Sequence, residues 1–115
     1  MSGMYGKSKY HATKTVVDGI TFDSKREAKR YHELKLMERA GVICDLRRQV
    51  KFELQPAFYF DGKTYRAINY IADFVYYDTK TGEEVVEDCK GFRTDVYKLK
   101  AKMFAYKFGV SILET

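Results

Sequence analysis

A chain of 115 residues, 45% hydrophobic and 16% aromatic, has the apolar side chains for one buried core and too little length for two domains. Ten tyrosines and eight phenylalanines against one proline argue against disorder, and no apolar run approaches the roughly 20 residues of a membrane span. A formal net charge of +5 suits a polyanionic partner without identifying one.

The N-terminus carries no signal-peptide pattern, and Cys44 and Cys89 match neither a disulfide framework nor a zinc-ligand spacing, so a cytoplasmic protein is expected. Residues 1–15 are polar and include Lys7, Lys9, His11 and Lys14, which predicts a flexible basic arm ahead of a single domain over 16–115. Thr15-Val16-Val17, the turn dipeptide Asp18-Gly19 and Ile20-Thr21-Phe22 read as a hairpin. Ser24 opens a helix that runs to about Ala40 and stops at Gly41, with Ala28, Tyr31, Leu34, Leu36 and Met37 on its apolar side.

Residues Ile43 to Leu54 end in the alternation Val50, Phe52, Leu54 and read as a strand. A second hairpin follows, Phe58-Tyr59-Phe60 and Thr64-Tyr65-Arg66 about Asp61-Gly62. A strand over 67–77 and another from Val85 to Gly91 are separated by a turn at 78–82. Thr94 is placed to cap a second helix reaching Phe108, with Gly109 as its stop and Val96, Leu99, Met103 and Phe104 facing the core. A short strand over Val110–Leu113 closes the chain. This order predicts a mixed α/β sheet flanked by two helices.

Two of the strands carry acids where their patterns predict burial. Alternation puts Asp73 on one face with Ile71 and Val75, and it groups Val86, Asp88 and Lys90 on another. An ionised carboxylate on an apolar face is costly unless it is paired or holds a metal. Phosphodiester hydrolysis needs Mg²⁺ (or Mn²⁺ in its place), an activated water and a cation to offset developing charge. Asp73 and Asp88 are the expected metal ligands, with the backbone carbonyl of Cys89 as a third contact, and Lys90 is placed to reach the same water and phosphate.

Each of these residues also has a plainer reading. Asp73 could pair with a nearby base, and Asp88 with Lys90 could form an ion pair of little net value. Glu27 completes the capping box Ser24-Lys25-Arg26-Glu27, yet a glutamate in the first turn of a helix packed on the sheet can also face the metal. Gln49 stands on the strand expected beside Asp73, where it orients water or is merely polar. Lys98 and Lys102 share a helix face, solvated by default and otherwise suited to a DNA backbone. With Lys9, Lys14, Arg48 and Arg93 they form the candidate DNA-binding set. Glu87 points away from Asp88 and ranks below the other acids, and Cys89 is given to packing.

Taken together, Glu27, Asp73 and Asp88-Cys89-Lys90 resemble the PD-(D/E)XK nuclease signature. More closely, Phe22-Asp23-Ser24-Lys25-Arg26-Glu27-Ala28, Arg48-Gln49-Val50, Tyr70-Ile71-Ala72-Asp73-Phe74 and Glu87-Asp88-Cys89-Lys90-Gly91 resemble a family of short phage and prophage proteins labelled as uncharacterised or as endonucleases of the restriction-endonuclease-like fold. The resemblance runs from about Lys9 to the C-terminus, and it departs at Ala72, where the signature carries proline. It implies metal binding by Glu27, Asp73 and Asp88, catalysis by Lys90 and a secondary role for Gln49, in a protein encoded by phage or prophage in a bacterial cell. The superfamily includes Holliday junction resolvases. A bare catalytic core reads DNA by backbone and shape, so a branched substrate and a homodimer are expected. A catalytically silent nucleic-acid-binding module and a phage protein-interaction subunit stay open as alternatives, as does an RNA substrate.

Overall fold

In the computed structural model, which describes residues 14–115, two Asp-Gly dipeptides reverse the chain in the same way. Asp18 and Gly19 (φ 53° and 76°) join β1 (Thr15–Val17) to β2 (Ile20–Phe22), and Asp61 and Gly62 (φ 52° and 77°) join β4 (Phe58–Phe60) to β5 (Lys63–Tyr65). Positive φ at both turn residues matches the right-handed twist of the strands, and Asp and Gly tolerate it well. Of the expected basic arm, residues 1–13, including Lys9, lie outside the described residues; Lys14 is exposed and Thr15 already belongs to β1.

Helix α1 (Lys25–Arg39) begins where expected, the Ser24 side chain accepting from the Glu27 N–H at 3.1 Å. Its inner face buries Ala28, Tyr31 and Leu34 against Phe22, Ile43, Phe74 and Tyr76. Leu36, expected on that face, is exposed. Four strands make the main sheet in the order β3 (Ile43–Gln55), β6 (Ile68–Asp78), β7 (Glu84–Asp88), β8 (Ile112–Glu114). The first three run antiparallel and β8 runs parallel to β7, so the sheet is mixed and the fold is α/β. No helix among the described residues is long and apolar enough to cross a membrane.

Helix α2 (Asp95–Phe108) is capped by Thr94, which accepts from the Tyr97 N–H at 3.0 Å. It covers the other side of the sheet, where Tyr97 and Phe104 pack with Leu54, Tyr70, Ala72, Val75 and Val86. Here the expected face is wrong in part: Val96 and Leu99 are 62% and 58% exposed. Two stripes of this helix are apolar at helical spacing, and the one bearing the larger rings of Tyr97 and Phe104 took the sheet, where it buries more apolar area. The strand expected to reach Gly91 ends at Asp88, and the last strand spans Ile112–Glu114 rather than 110–113.

Candidate active site

Alternation fails where β3 and β6 pass the middle of the sheet. Ala72 belongs to the α2-side cluster and Phe74, two residues on, to the α1-side cluster, whereas an unbroken strand would keep both on one face. On β3 the guanidinium of Arg48 lies over the ring of Phe22, 4.5 Å from its centroid, while Val50 packs on the α2 side. Between them Gln49 takes φ 51°, a left-handed conformation that non-glycine residues rarely adopt in a strand. Gln49 and Asp73 fall opposite each other between the paired residues Arg48–Phe74 and Val50–Ala72. The expected shared face of Ile71, Asp73 and Val75 is therefore not kept: Ile71 is exposed and Val75 is buried in the α2-side cluster.

This kink brings the candidate residues together. The Gln49 side-chain amide donates to Glu27 Oε2 at 3.3 Å and to Asp73 Oδ1 at 3.4 Å, tying α1 to the sheet. Asp73 Oδ2 accepts from the Cys89 N–H at 2.9 Å, and its carboxyl lies within hydrogen-bonding reach of Asp88. Lys90 Nζ stands 3.2 Å from Asp88 Oδ1, and the Tyr70 hydroxyl donates to Asp88 Oδ2 at 2.5 Å. Val86, Asp88 and Lys90 do share the α2 side, as their spacing implied: Lys90 Nζ sits 4.3 Å from the Tyr97 ring centroid. Cys89 faces the α1 cluster, and burial pushes its thiol up to about 11, which keeps it inert.

The electrostatics follow from this crowding. Burial, then the hydrogen bond to Asp88 and the charge of Asp88, push the Asp73 carboxyl up to about 7, against the opposing pull of the Cys89 N–H. Glu27, almost fully buried, is also raised, by burial first and by Asp23 and Asp88; Arg48, 3.8 Å from it, and the Gln49 amide pull it down. Two carboxyls in hydrogen-bond contact need a proton or a cation between them. Such a donor set suits Mg²⁺, which takes few carboxylates and keeps waters. Among the described residues, no three His, Cys, Asp or Glu side chains converge closely enough to enclose a metal ion, and Glu27 joins the pair through Gln49.

Glu27, Gln49, Asp73, Asp88 and Lys90 are thus gathered at one point. Arg48, expected on a DNA backbone, turns inward to Glu27, and its buried Nε has no hydrogen-bond partner. Arg93 is exposed and lies 3.5 Å from Glu114; Lys98 and Lys102 are exposed on α2. Sequence reasoning missed Tyr70 and Tyr97, which brace Asp88 and Lys90. A tyrosine on the same face as Ala72 has a hydroxyl that must find a partner in the core, and that was the available signal.

Glu87 points away from Asp88, as its place in the strand implied. It is wholly buried on the α1 side, where Arg30 grips it through Nε at 2.6 Å and Nη2 at 3.0 Å. The hydroxyls of Tyr76 and Thr115 donate to it at 2.7 and 3.1 Å. This satisfied anion is structural, holding α1 and β8 to β7.

The mixed sheet with its carboxyl pair at the kink defines the class of fold and site. A family model described as a protein of unknown function (DUF1064) matches residues 7–113, and the chain belongs to that family. No curated protein and no solved structure matches it.

Proposed function

We propose that the protein is a Mg²⁺-dependent DNA endonuclease of the PD-(D/E)XK kind, acting on branched DNA in phage recombination or replication inside a bacterial cell. The observation that carries this reading is the Asp73–Asp88 carboxyl pair with the Lys90 ammonium 3.2 Å from Asp88. Asp73 and Asp88 are the residues that would hold the ion, with Glu27 linked through Gln49. Bound there, Mg²⁺ supplies positive charge to the phosphate and makes its water a better nucleophile.

The chain's own groups do the rest. Lys90, seated on the Tyr97 ring, is held beside Asp88 and offsets charge on the scissile phosphate as water attacks in line. The Tyr70 hydroxyl and the Cys89 N–H hold the two carboxyls in place, which reduces the reorganisation the reaction needs. Gln49 orients Glu27 against Asp73. Cleavage leaves a 5′-phosphate and a 3′-hydroxyl. Two symmetric nicks across a four-way junction require two copies of the site, so a homodimer belongs to the junction reading.

The test is incubation of end-labelled four-way junction and matched linear duplex with purified protein in Mg²⁺, Mn²⁺ or EDTA. Metal-dependent paired nicks confined to the junction support a resolvase. Equal cutting of linear DNA removes the junction preference and keeps the nuclease. Binding without cleavage in either metal moves the reading to a silent nucleic-acid-binding module.

A further inference from the structure

The β4–β5 hairpin forms a two-stranded sheet of its own, separate from the main sheet. A hairpin of three-residue strands has little intrinsic stability, and an apolar one is expected to bury its rings. This one does the reverse. Tyr59 and Phe60 are 72% and 65% exposed, and Phe58 and Tyr65 are exposed as well. Phe58 and Tyr65 stack on each other, centroids 4.9 Å apart and planes 11° apart, and Lys63 Nζ lies 5.2 Å from the Tyr65 centroid. Arg66 follows, also exposed.

We propose that this hairpin is a stacking platform for unpaired nucleobases of a DNA substrate. Flat exposed rings beside cations are what single-stranded nucleic acid requires: the bases stack on the rings and the phosphates meet the positive charge. The charge balance favours this occupant over a second copy of the hairpin, because Lys63 and Arg66 outnumber the lone Asp61 and would repel their own copies. Position agrees. The hairpin joins the ends of β3 and β6, the strands that carry Gln49 and Asp73. Gln55 lies six residues along β3 from Gln49, or about 20 Å at the rise of a strand. That distance is about six base steps along DNA. The hairpin would thus meet DNA on one side of the cut, where a branch point exposes unpaired bases. Only this placement rests on the nuclease reading; the binding of unpaired bases stands apart from it.

The test is fluorescence anisotropy of the full chain in EDTA, with a labelled 20-nucleotide oligo(dT) and a blunt 20-base-pair duplex as probes. The variants are the double substitution Tyr59→Ala with Phe60→Ala and the aromatic exchange Tyr59→Phe with Phe60→Tyr. The expected result is a loss of about 10- to 100-fold in oligo(dT) affinity for the alanine pair. Duplex affinity should stay within about twofold and the aromatic exchange should retain oligo(dT) binding. An unchanged oligo(dT) affinity, or an equal loss on both probes, overturns the proposal. So does sedimentation showing that the alanine pair dissociates a dimer, which would make a second copy the occupant. Because no cleavage occurs in EDTA, a hairpin effect without nuclease activity sinks only the nuclease reading. Metal-dependent cleavage with no hairpin effect sinks only this one.

Discussion

Replacing Asp73 with asparagine should make the metal-free protein more stable above neutral pH. Asp73 is carried from 3.8 to about 7 by burial and by Asp88, so folding takes up a proton there. Stability from a carboxyl raised in this way is complete below 3.8 and is lost as pH rises through about 7. At pH 8 the wild type holds an ionised Asp73 against Asp88, a contact that the surrounding donors (the Cys89 N–H, the Gln49 amide, the Tyr70 hydroxyl and Lys90) offset only in part. The full shift corresponds to about 4 kcal/mol. Asp73 is only partly buried, so solvent screening reduces the usable part to about 1–2 kcal/mol.

The asparagine side chain keeps an oxygen to accept from the Cys89 N–H and adds an amide that donates to Asp88. Urea denaturation in EDTA should therefore show Asp73→Asn more stable than wild type by about 1–2 kcal/mol at pH 8. The gap should narrow steadily as pH falls below about 7 and close only below about 3.8, where the carboxyl is protonated in both the folded and the unfolded chain. Mg²⁺ at about 100 times its dissociation constant should then stabilise the wild type by about 2.7 kcal/mol and the variant far less. A variant less stable than wild type at pH 8, or a gap that does not change with pH, would refute the reasoning.

Three further outcomes are expected. Arg30→Met strands the buried Glu87 carboxylate and should cost about 3 kcal/mol in urea denaturation; adding Glu87→Gln should restore part of that loss. Lys90→Ala should lower the single-turnover cleavage rate at least about 100-fold with DNA affinity in EDTA nearly unchanged, a split that a purely structural lysine would not produce. Both Gln49→Gly and Gln49→Ala lose the link between Glu27 and Asp73, but only glycine relieves the left-handed backbone. The glycine variant should therefore be the more stable of the two by about 1 kcal/mol in the same denaturation assay.

Local chemistry made much of the fold legible. Ser24 and Thr94 cap the helices they were expected to cap, and Asp18-Gly19 and Asp61-Gly62 form the expected turns. The period of two in Val86-Glu87-Asp88-Cys89-Lys90 correctly placed Asp88 and Lys90 on one side and Cys89 on the other. Failures came where local pattern is silent. Nothing in the residue type of Gln49 announces a positive φ, so the reversal of faces between Ala72 and Phe74 could not be read. In α2, Val96 and Leu99 fit a core stripe as well as Tyr97, Ala101 and Phe104 do, and only the shape of the sheet decides between them. The structural role of Glu87 could not be read because its partner, Arg30, comes from a helix far away in sequence. The gathering of Glu27, Gln49, Asp73, Asp88 and Lys90 was readable from their order along the chain. The bracing of Asp88 by Tyr70 was signalled only by a core-facing tyrosine hydroxyl in need of a partner, and that of Lys90 by Tyr97 by nothing local.

The most direct measurement is the Mg²⁺ dependence of nicking by wild type and Asp88→Asn, purified in parallel and shown to be equally folded by circular dichroism. If Asp73 and Asp88 hold the ion for catalysis, wild-type nicking rises and saturates with Mg²⁺, and Asp88→Asn shows none at any concentration. Nicking that survives in Asp88→Asn with the same Mg²⁺ dependence would show that this carboxyl pair is not the catalytic centre.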